Sequence, residues 1–426
     1  MSNLLVENML WRNIYCNVSK SSSDCIDMGY SFGVIPSGFE WLAFILSAIS
    51  IIGLFINGVL GGVIVLIWGE RRLFGRFQNR TGPNRWGPYG ILTPVADAIK
   101  TMFKEDILPK DADRLLYNLA PIMVVVPVLI VFSVIPVGLG SYIVDLNIGI
   151  LFVLAVTSIS SLSVLTAGWS SGNRIAILSA LRSVALLISY EIPMGLAVIG
   201  VIMLSGSLSL GTIVESQQIP YILVQPLGFF VFFLAAMAEM ARAPFDLTEA
   251  ESELAAGHLN DYSSMKFALF FLGEFMAELA TAAIVTTLFL GGWKGPGFIP
   301  TEFWFGAKLV FVLFLIVWFR MTLPRLRVDQ VLQFAWKGLF ELTMVNIITT
   351  AIFIFIWPEP GLRELLILAA INWPVAIISI WGVSKILGTK QYENIESLKN
   401  ENAYPYSFKT LPSEFYHQKS EGGKIK

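Results

Sequence analysis

Charged residues are scarce in this chain. Asp, Glu, Lys and Arg make up 14% of its 426 residues, whereas 55% of the residues are hydrophobic and the mean hydropathy is +0.69. Soluble globular domains carry roughly 25% charged residues, so this composition excludes a water-soluble globular protein. We also expect no N-terminal signal peptide, because the first long apolar run begins near Trp41 and is too long for one.

Histidine and cysteine are almost absent as well. A bis-histidine haem site needs paired histidines on facing spans, but His258 and His417 both fall outside the apolar runs. A cluster held by four thiolates is excluded because Cys16 and Cys25 are the only cysteines. Both precede the first span, where a disulfide between them is permissible and is left open. We therefore expect no metal, haem or iron–sulfur cluster in this chain.

Long apolar runs dominate what is present. A helix needs about 20 apolar residues to cross a hydrocarbon core of about 30 Å, and runs this long and continuous are typical of helices rather than barrel strands. The sequence therefore predicts an all-α polytopic membrane protein whose first helix, being longer than the core requires, tilts or projects from the membrane. The nine predicted transmembrane helices lie at about 41–68, 115–138, 147–168, 182–205, 221–241, 266–290, 303–320, 337–357 and 362–386.

Lys and Arg are unevenly distributed between the two ends of the spans. The loops after the first, third, fifth and seventh spans carry thirteen of them, and the opposite loops carry one. By the positive-inside rule, the basic loops face the cytoplasm or matrix. We expect an outer N-terminal extension at 1–40, a transmembrane part at 41–386 with inner loops 69–114 and 239–265, and an inner polar tail at 387–426.

Four glutamates of the fourth, fifth and sixth predicted spans are candidate site residues. An ionisable residue at a span centre costs about 2.5–3.5 kcal/mol on insertion scales, so it is a functional hypothesis by default. Glu191 lies in the fourth span, Glu239 ends the fifth, and Glu274 and Glu278 share one face of the sixth. For four carboxylates in one bundle we favour a proton or ion route. The structural alternative is pairing with nearby basic residues: Arg182, Arg242 or Lys308.

The inner loop 69–114 combines arginines with an amphipathic pattern. Apolar residues recur near helical spacing from Ile91 to Phe103, with Asp97 and Lys100 on other faces, which predicts an interfacial helix within 83–105. Ordinary binding of anionic lipid headgroups is one interpretation of the basic charge; we favour docking or the building of a site. The arginines crowd a stretch that we expect to be rich in turns: Arg71, Arg72, Arg76, Arg80 and Arg85.

The inner loop 239–265 concentrates acidic residues. We expect Pro244 to end the helix of the fifth span and Thr248 to begin a new helix, with Glu251 at the spacing of a capping box. The preference for acidic residues at helix N-termini explains one or two of these carboxylates but not all four beside a membrane boundary. The four are Asp246, Glu249, Glu251 and Glu253.

At these residues the chain resembles a known family. The segments GRFQNRTGPNRWGPYGILTPVADAIKTMFKEDILP, LISYEIPMGL and RAPFDLTEAESELAAG, with LFLGGW and RMTLPRLRVDQVLQFAWK, closely resemble the H-subunit (subunit 1) family of complex I, the proton-pumping NADH:quinone oxidoreductase. The resemblance runs from about residue 41 to 386. Departures from the family pattern include Thr248 in place of a proline and Asp261 in place of a glutamate. They leave the quinone type open.

The resemblance implies a subunit at the heel of an L-shaped complex in a bacterial inner or mitochondrial inner membrane. It would anchor the peripheral redox arm and form most of the quinone-entry chamber, with quinone as substrate and no redox centre of its own. Flavin and iron–sulfur clusters would reside in partner subunits. The implied partners are the peripheral-arm iron–sulfur and quinone-site subunits, small membrane-arm subunits and the lipid bilayer, and no nucleic acid is expected. Quinone would enter between the first span, the amphipathic helix and the sixth span.

Residue by residue, the resemblance points to two groups, and no catalytic residue is expected among them. Chamber or arm-docking positions are matched by Arg71, Arg80, Asp97 and Lys100, to which we add Arg76 and Arg242. The acidic path that links quinone chemistry to proton translocation is matched by Glu191, Glu239, Asp246, Glu249, Glu251 and Glu253, to which we add Glu274 and Glu278.

Other functions stay open at this point. The homologous membrane subunit of a membrane-bound hydrogenase, or of a complex fed by ferredoxin or another donor, would use the same scaffold; the full GPNRWGP run argues against it. A secondary transporter usually has inverted repeats with broken helices near the midplane, and the sequence has no such symmetry. A purely structural anchor would not need the buried glutamates.

Overall fold

The computed structural model describes residues 40–246, 257–297, 299–358 and 360–400, with side chains from 45 to 385. Within these ranges the chain is helical, and the only β-type pairing among them is one isolated bridge between Gly138 and Ser141. Eight helical segments within these ranges, two of which combine consecutive helices, are long and apolar enough to cross a membrane. The prediction of an all-α polytopic membrane protein is confirmed.

Fourteen α-helices follow one another along the described chain. They are α1 (Glu40–Phe77), α2 (Thr93–Met102), α3 (Arg114–Val134), α4 (Gly149–Thr157), α5 (Ile159–Ser170), α6 (Arg174–Ser205), α7 (Leu210–Ser216), α8 (Tyr221–Val224), α9 (Pro226–Glu239), α10 (Ser264–Phe289), α11 (Thr301–Thr322), α12 (Val328–Phe334), α13 (Phe340–Ile356) and α14 (Leu362–Asn400). Short 3-10 turns lie at Pro88–Gly90 and Gly257–Leu259, and a π-helix at Ala335–Leu339 joins α12 to α13.

Helix α1 extends beyond its predicted end at residue 68. It runs on to Phe77, so Arg71, Arg72 and Arg76 lie on its last turns. The prediction that these arginines lie in a turn-rich stretch is therefore wrong. The physical reason is that arginine is a good helix former, and cations at a helix C-terminus interact favourably with the helix dipole.

The predicted fifth span is divided into two pieces. Helices α8 and α9 are separated at Gln225, and α9 is an apolar helix of only 14 residues that is not among the eight candidate membrane spans. Pro226 starts α9 because a proline is tolerated at the first helical position but not in a helix interior. The buried Gln225 side chain donates a hydrogen bond to the Gly200 carbonyl at 3.1 Å, which ties the break to α6.

The predicted third span is also interrupted. Helices α4 and α5 meet at Ser158, where the hydroxyls of Thr157 and Ser158 both donate to the Leu154 carbonyl oxygen, at 3.1 and 2.9 Å. Hydroxyl groups that bond back to the preceding turn compete with the backbone ladder and often bend helices. The interruption turns two hydroxyls toward the interior of the bundle.

Helix α6 forms the centre of the bundle and packs against α5, α9 and α13. Close approach requires small residues at its interfaces, as is usual between membrane helices. A Cβ atom added at Gly168 of α5 would lie 2.8 Å from the Ala176 carbonyl oxygen of α6, so only glycine fits there. Helix α3 closes the same side of the bundle by packing against α5 and α10.

The amphipathic helix predicted within 83–105 is confirmed as α2 (Thr93–Met102), which contacts α1 and α10. Its apolar side chains Ile99 and Met102 are exposed, and Phe103, directly after it, is 88% exposed. A helix with one exposed apolar side and Lys100 in its last turn suits a membrane interface.

The chain divides into two compact units, residues 1–377 and 378–426. The boundaries expected from the sequence, at 40 and 386, remain predictions. The two cysteines, the helix expected to begin at Thr248 and the acidic residues Glu249, Glu251 and Glu253 lie outside the described residues.

Candidate functional site

Two of the predicted carboxylates meet the interruption between α4 and α5. The Ser158 hydroxyl lies within hydrogen-bonding reach of the Glu191 carboxyl group of α6, and the Thr157 hydroxyl lies within reach of the Glu239 carboxyl group at the end of α9. Because each hydroxyl donates its one hydrogen to the Leu154 carbonyl oxygen, it offers these carboxyl groups an acceptor oxygen. Glu191 and Glu239 are also close enough to repel each other electrostatically. The break in the third span therefore supplies polar partners to two acids in an otherwise apolar bundle.

Glu239 shares a cavity with Glu274 of α10. The cavity has a volume of about 100 Å³ and lies among α3, α5, α6, α9 and α10. Apolar side chains form most of its wall, and polar groups from Thr157, Ser160 and His258 interrupt it. We call this space the carboxylate cavity. Two carboxyl groups that line one cavity in an apolar bundle are candidates for proton exchange, because ionisable residues inside a membrane are costly and often mark proton pathways.

The two glutamates of α10 have different surroundings, although they lie one turn apart. Glu278 is 1% exposed and forms an ion pair with Arg242, with 3.5 Å between Glu278 Oε2 and Arg242 Nη2. Arg242 also lies over the ring of Phe275 at 4.7 Å. Of the two interpretations of the glutamates, a proton route or pairing with a basic residue, Glu278 shows the pairing, with Arg242. Glu274 lines the carboxylate cavity.

A second buried ion pair lies beside the first. The Arg320 guanidinium of α11 donates to the Glu70 carboxylate of α1, which is 4% exposed. Glu278 interacts electrostatically with Glu70 and Arg320 as well as with Arg242. These four side chains, which we call the charge cluster, join α1, α10, α11 and the segment after α9. Two acids and two bases balance one another, which reduces the cost of burying them.

The sequence analysis did not single out Glu70 or Arg320 as site residues. Glu70 stands at the start of the basic run that begins Glu-Arg-Arg, and Arg320 ends an otherwise apolar helix. A charge at the end of a span is ordinarily read as a topology signal. The signal that could have found them is their opposite charge at the same membrane end of two spans.

The predicted docking residues of the first inner loop divide into two places. Arg71 and Asp97 form an ion pair at 2.5 Å that links α1 to α2, with 43% and 47% of their side chains exposed. Lys100 is exposed on α2. Because both partners of this pair are solvent-accessible, it orients α2 more than it stabilises the fold.

Arg76 and Arg80 line a second cavity, of about 460 Å³, together with Arg72. Arg72 lies over the rings of Trp68 and Tyr89, at 5.5 and 4.7 Å from their centroids. Three arginines around one opening form a strongly basic concavity, which suits an acidic or otherwise anionic partner group.

Asp246 is the last described residue before the acidic segment. Its Oδ1 atom is buried and has no hydrogen-bond partner among the described residues. Lys308, named as an alternative partner for the glutamates, instead donates to the carbonyl oxygens of Leu290, Gly292 and Lys294 at 2.6 to 2.9 Å. Lys308 thus provides hydrogen-bond donors for the backbone carbonyl groups that follow the end of α10.

An aromatic cluster fixes the turn before α10. Tyr117 and Tyr262 are stacked, with centroids 4.2 Å apart, and the Tyr117 hydroxyl donates to the Asp261 carbonyl at 2.7 Å. Burial raises the pKa of Tyr262 to about 12, so its hydroxyl stays neutral and hydrogen-bonds Ser170 at 3.1 Å. Leu259 is buried in the same cluster, which holds the Gly257–Leu259 turn against the bundle.

The turn places His258 in the carboxylate cavity. His258 was not predicted as a site residue. Its position outside the predicted spans served only to exclude a bis-histidine haem site. Burial lowers the pKa of His258 to about 4, so the imidazole is neutral near pH 7. Among the described residues, no group of three or more His, Cys, Asp or Glu side chains could hold a metal ion.

Comparisons with known proteins agree on one family. A sequence profile described as NADH dehydrogenase matches residues 49–351. The chain is 54% identical over 301 residues to the NADH-quinone oxidoreductase H-subunit of Dehalococcoides mccartyi, a match that covers 71% of this chain and 85% of the relative.

Two further relatives are matched over nearly their whole length. Identity is 42% over 349 residues with the NADH-quinone oxidoreductase H-subunit 2 of Geobacter metallireducens, which covers 77% of this chain and 99% of the relative. It is 44% over 325 residues with the NADH-quinone oxidoreductase H-subunit of Bacillus thuringiensis, which covers 75% and 97%.

Proposed function

The chain belongs to the H-subunit family of NADH-quinone oxidoreductase, and on that premise we propose that it forms the quinone-entry chamber of the complex and couples quinone reduction to proton translocation. As a member of this family, it is a membrane subunit of a translocating oxidoreductase. The observation that carries the proposal is the carboxylate cavity, where Glu239 and Glu274 face one space and Glu191 lies near Glu239.

The coupling is electrostatic in this proposal. Reduction of a quinone to a quinol consumes electrons and protons, and side chains near the quinone that donate those protons are left more negatively charged. A change of charge near buried carboxylates alters their proton affinity, because Coulomb interactions are weakly screened in a low-dielectric interior. Glu191, Glu239 and Glu274 take up and release protons in response. Asp246 is assigned to the same acidic path, and Glu249, Glu251 and Glu253, which lie outside the described residues, remain predicted members of it.

The chamber proposal is supported by the packing of α1, α2 and α10, which contact one another in pairs. The expected entry route lies between these three helices. The charge cluster occurs where α1 meets α10 and α11, and it supplies polar groups that could orient a quinone headgroup. Arg242 belongs to the cluster, whereas Arg71, Asp97 and Lys100 lie on the adjoining ends of α1 and α2.

Partners and location follow the same premise. Arg76 and Arg80 line a basic concavity that suits acidic groups of a docking subunit. We propose that the peripheral-arm iron–sulfur and quinone-site subunits dock here, with flavin and clusters held by the partners, and that small membrane-arm subunits flank the bundle. The membrane is a bacterial or mitochondrial inner membrane, with the basic loops in the cytoplasm or matrix.

Purification under mild conditions tests the assembly. The tagged chain is extracted in a gentle detergent, the co-purifying subunits are identified, and NADH-driven quinone reduction is measured. Recovery with iron–sulfur subunits and inhibitor-sensitive quinone reduction is expected. Recovery with a nickel-containing large subunit and no quinone activity would assign the chain to a hydrogenase, and recovery without partners would contradict the proposal.

A Glu239→Gln change tests the coupling. It keeps the shape of the side chain and removes its exchangeable acidic proton, so proton translocation in sealed vesicles should be lost while the complex still assembles. Glu215→Gln is the matched control, because Glu215 lies on α7, outside the residues that line the carboxylate cavity. Unchanged translocation in Glu239→Gln would exclude this cavity from the proton path.

A further inference from the structure

His258 is a buried polar residue that the proposed function does not use. Its side chain is 4% exposed, and its three-residue turn contacts α5 and α6. The ring packs nearly perpendicular to that of Phe270, with the centroids 5.8 Å apart. The imidazole also forms part of the wall of the carboxylate cavity. No lysine or arginine is among the residues that line this cavity.

The hydrogen bonding of this imidazole is incomplete. Its Nδ1 atom is buried and has no partner among the described residues. An unsatisfied buried polar atom costs about 1–3 kcal/mol. An apolar ring would pack against Phe270 without that cost, so packing alone gives no reason for a histidine at this position.

The carboxylate cavity has room for the missing partner. A single water needs a cavity of at least about 10–15 Å³, so a cavity of about 100 Å³ has room for water. Polar atoms are needed to hold them, and the hydroxyls of Thr157 and Ser163 both line the cavity. Ser163 donates to the Ser160 carbonyl at 2.5 Å, so its oxygen remains able to accept a hydrogen bond.

We propose that His258 is a proton-relay residue of the carboxylate cavity, which exchanges protons with Glu239 and Glu274 through water held there. This inference rests on the proposed function of the cavity. In each transfer, one ring nitrogen takes up a proton from the donor side while the other ring nitrogen releases its own proton to the acceptor side. The ring is neutral before and after the transfer, and no electrons move.

The chemistry of a neutral imidazole suits this role. One of its nitrogens carries a proton and donates, and the other accepts, so the ring can connect a donor to an acceptor. Burial lowers the pKa of His258 to about 4, which keeps this neutral form at pH 7. The groups that titrate and line the same cavity are Glu239 and Glu274.

The test uses the whole complex in sealed vesicles with His258→Gln and His258→Phe. Glutamine keeps a hydrogen-bonding side chain but does not relay protons, whereas phenylalanine removes the polar atoms and keeps an aromatic ring. We expect both variants to slow proton translocation at least about tenfold, with an unchanged KM for quinone. The control is His417→Gln, since His417 is the other histidine of the chain.

A spectroscopic measurement separates a relay from a structural role. The infrared difference spectrum on reduction should contain carboxylic acid bands that disappear in Glu239→Gln, and His258→Gln should shift those bands. If the complex with His258→Phe does not assemble, the measurements on His258→Gln alone test the inference. Normal translocation and unshifted bands in His258→Gln would overturn the inference. Failure of Glu239→Gln to affect translocation would instead overturn the proposed function on which it rests.

Discussion

Arg320 donates a hydrogen bond to Glu70 across 250 positions of the sequence. The contact joins the end of α11 to α1, and Glu70 is buried while 22% of the Arg320 side chain is exposed. Next to it lies the pair formed by Arg242 and Glu278. The four charges meet where α1, α10 and α11 converge, and each pair depends on segments that only folding brings together.

An Arg320→Gln change should therefore destabilise the protein. It leaves the Glu70 carboxylate buried without its partner, and breaking a buried ion pair on one side costs about 3–5 kcal/mol. We expect a lower thermal unfolding temperature and less assembled complex in the membrane. Arg71→Gln is the control, because its exposed pair with Asp97 should contribute less than about 1 kcal/mol. Equal stability of the two variants would contradict a buried, energetically important pair.

A Glu191→Gln change should abolish coupled turnover without loss of assembly. The amide keeps the volume of the side chain and can still bond the Ser158 hydroxyl, but it has no acidic proton to exchange. The measurements are quinone reductase activity, proton translocation and the amount of complex recovered. Wild-type rates of both reduction and translocation would show that Glu191 is not on the proton path.

A Thr157→Val change should slow proton translocation. It removes the hydroxyl that hydrogen-bonds Glu239 while keeping nearly the same shape. Leaving a buried carboxyl group without its hydrogen-bond partner costs about 1–3 kcal/mol, so the rate should fall at least about fivefold. Thr166→Val is the matched control, because the Thr166 hydroxyl bonds the Ser163 carbonyl of its own helix at 2.8 Å. A similar effect of both changes would mean that lost helix bonding, not Glu239, is responsible.

The neutral state of His258 predicts a pH dependence of stability. Its pKa falls from about 6.5 when unfolded to about 4 in the fold, because burial disfavours the charged form. The unfolded chain therefore binds a proton that the native chain does not between these values, so stability is complete above pH 6.5 and declines toward pH 4.

Thermal unfolding of the wild type and His258→Gln checks this prediction. The difference between them should change between pH 6.5 and pH 4 and remain constant above pH 7. Glu239 and Glu274 line the same cavity and are present in both proteins. Their contributions to the pH dependence of stability therefore cancel when the two proteins are compared. A difference that does not vary with pH would mean that the native imidazole is not held neutral.

The helical membrane class could be predicted from the sequence because it depends on local properties. Apolar runs of sufficient length specify spanning helices whatever their neighbours, and α2 followed from a local amphipathic pattern. Helix ends were harder to predict. The continuation of α1 to Phe77 and the interruptions at Ser158 and Gln225 depend on partners from other helices, such as the Gly200 carbonyl that receives the Gln225 side chain.

The candidate site was predicted as a set of residues but not as an arrangement. The spacing of Glu274 and Glu278 indicated one shared face, yet Glu278 pairs with Arg242 and Glu274 lines the carboxylate cavity. Glu70, Arg320 and His258 were missed because each has an ordinary explanation in its own segment. Their importance depends on side chains that lie far away in the sequence.

By itself, the sequence determined the class of protein, its family resemblance and the supply of carboxylates near the membrane, because hydrophobicity, helix length and motifs are written in consecutive residues. Only the tertiary structure decided which charges neutralise one another and which face a common space. The reason is that electrostatic interactions and cavities depend on distances between helices. A glutamate paired with arginine and a glutamate beside a cavity are the same residue in the sequence. They differ only in the side chains and spaces that folding places next to them.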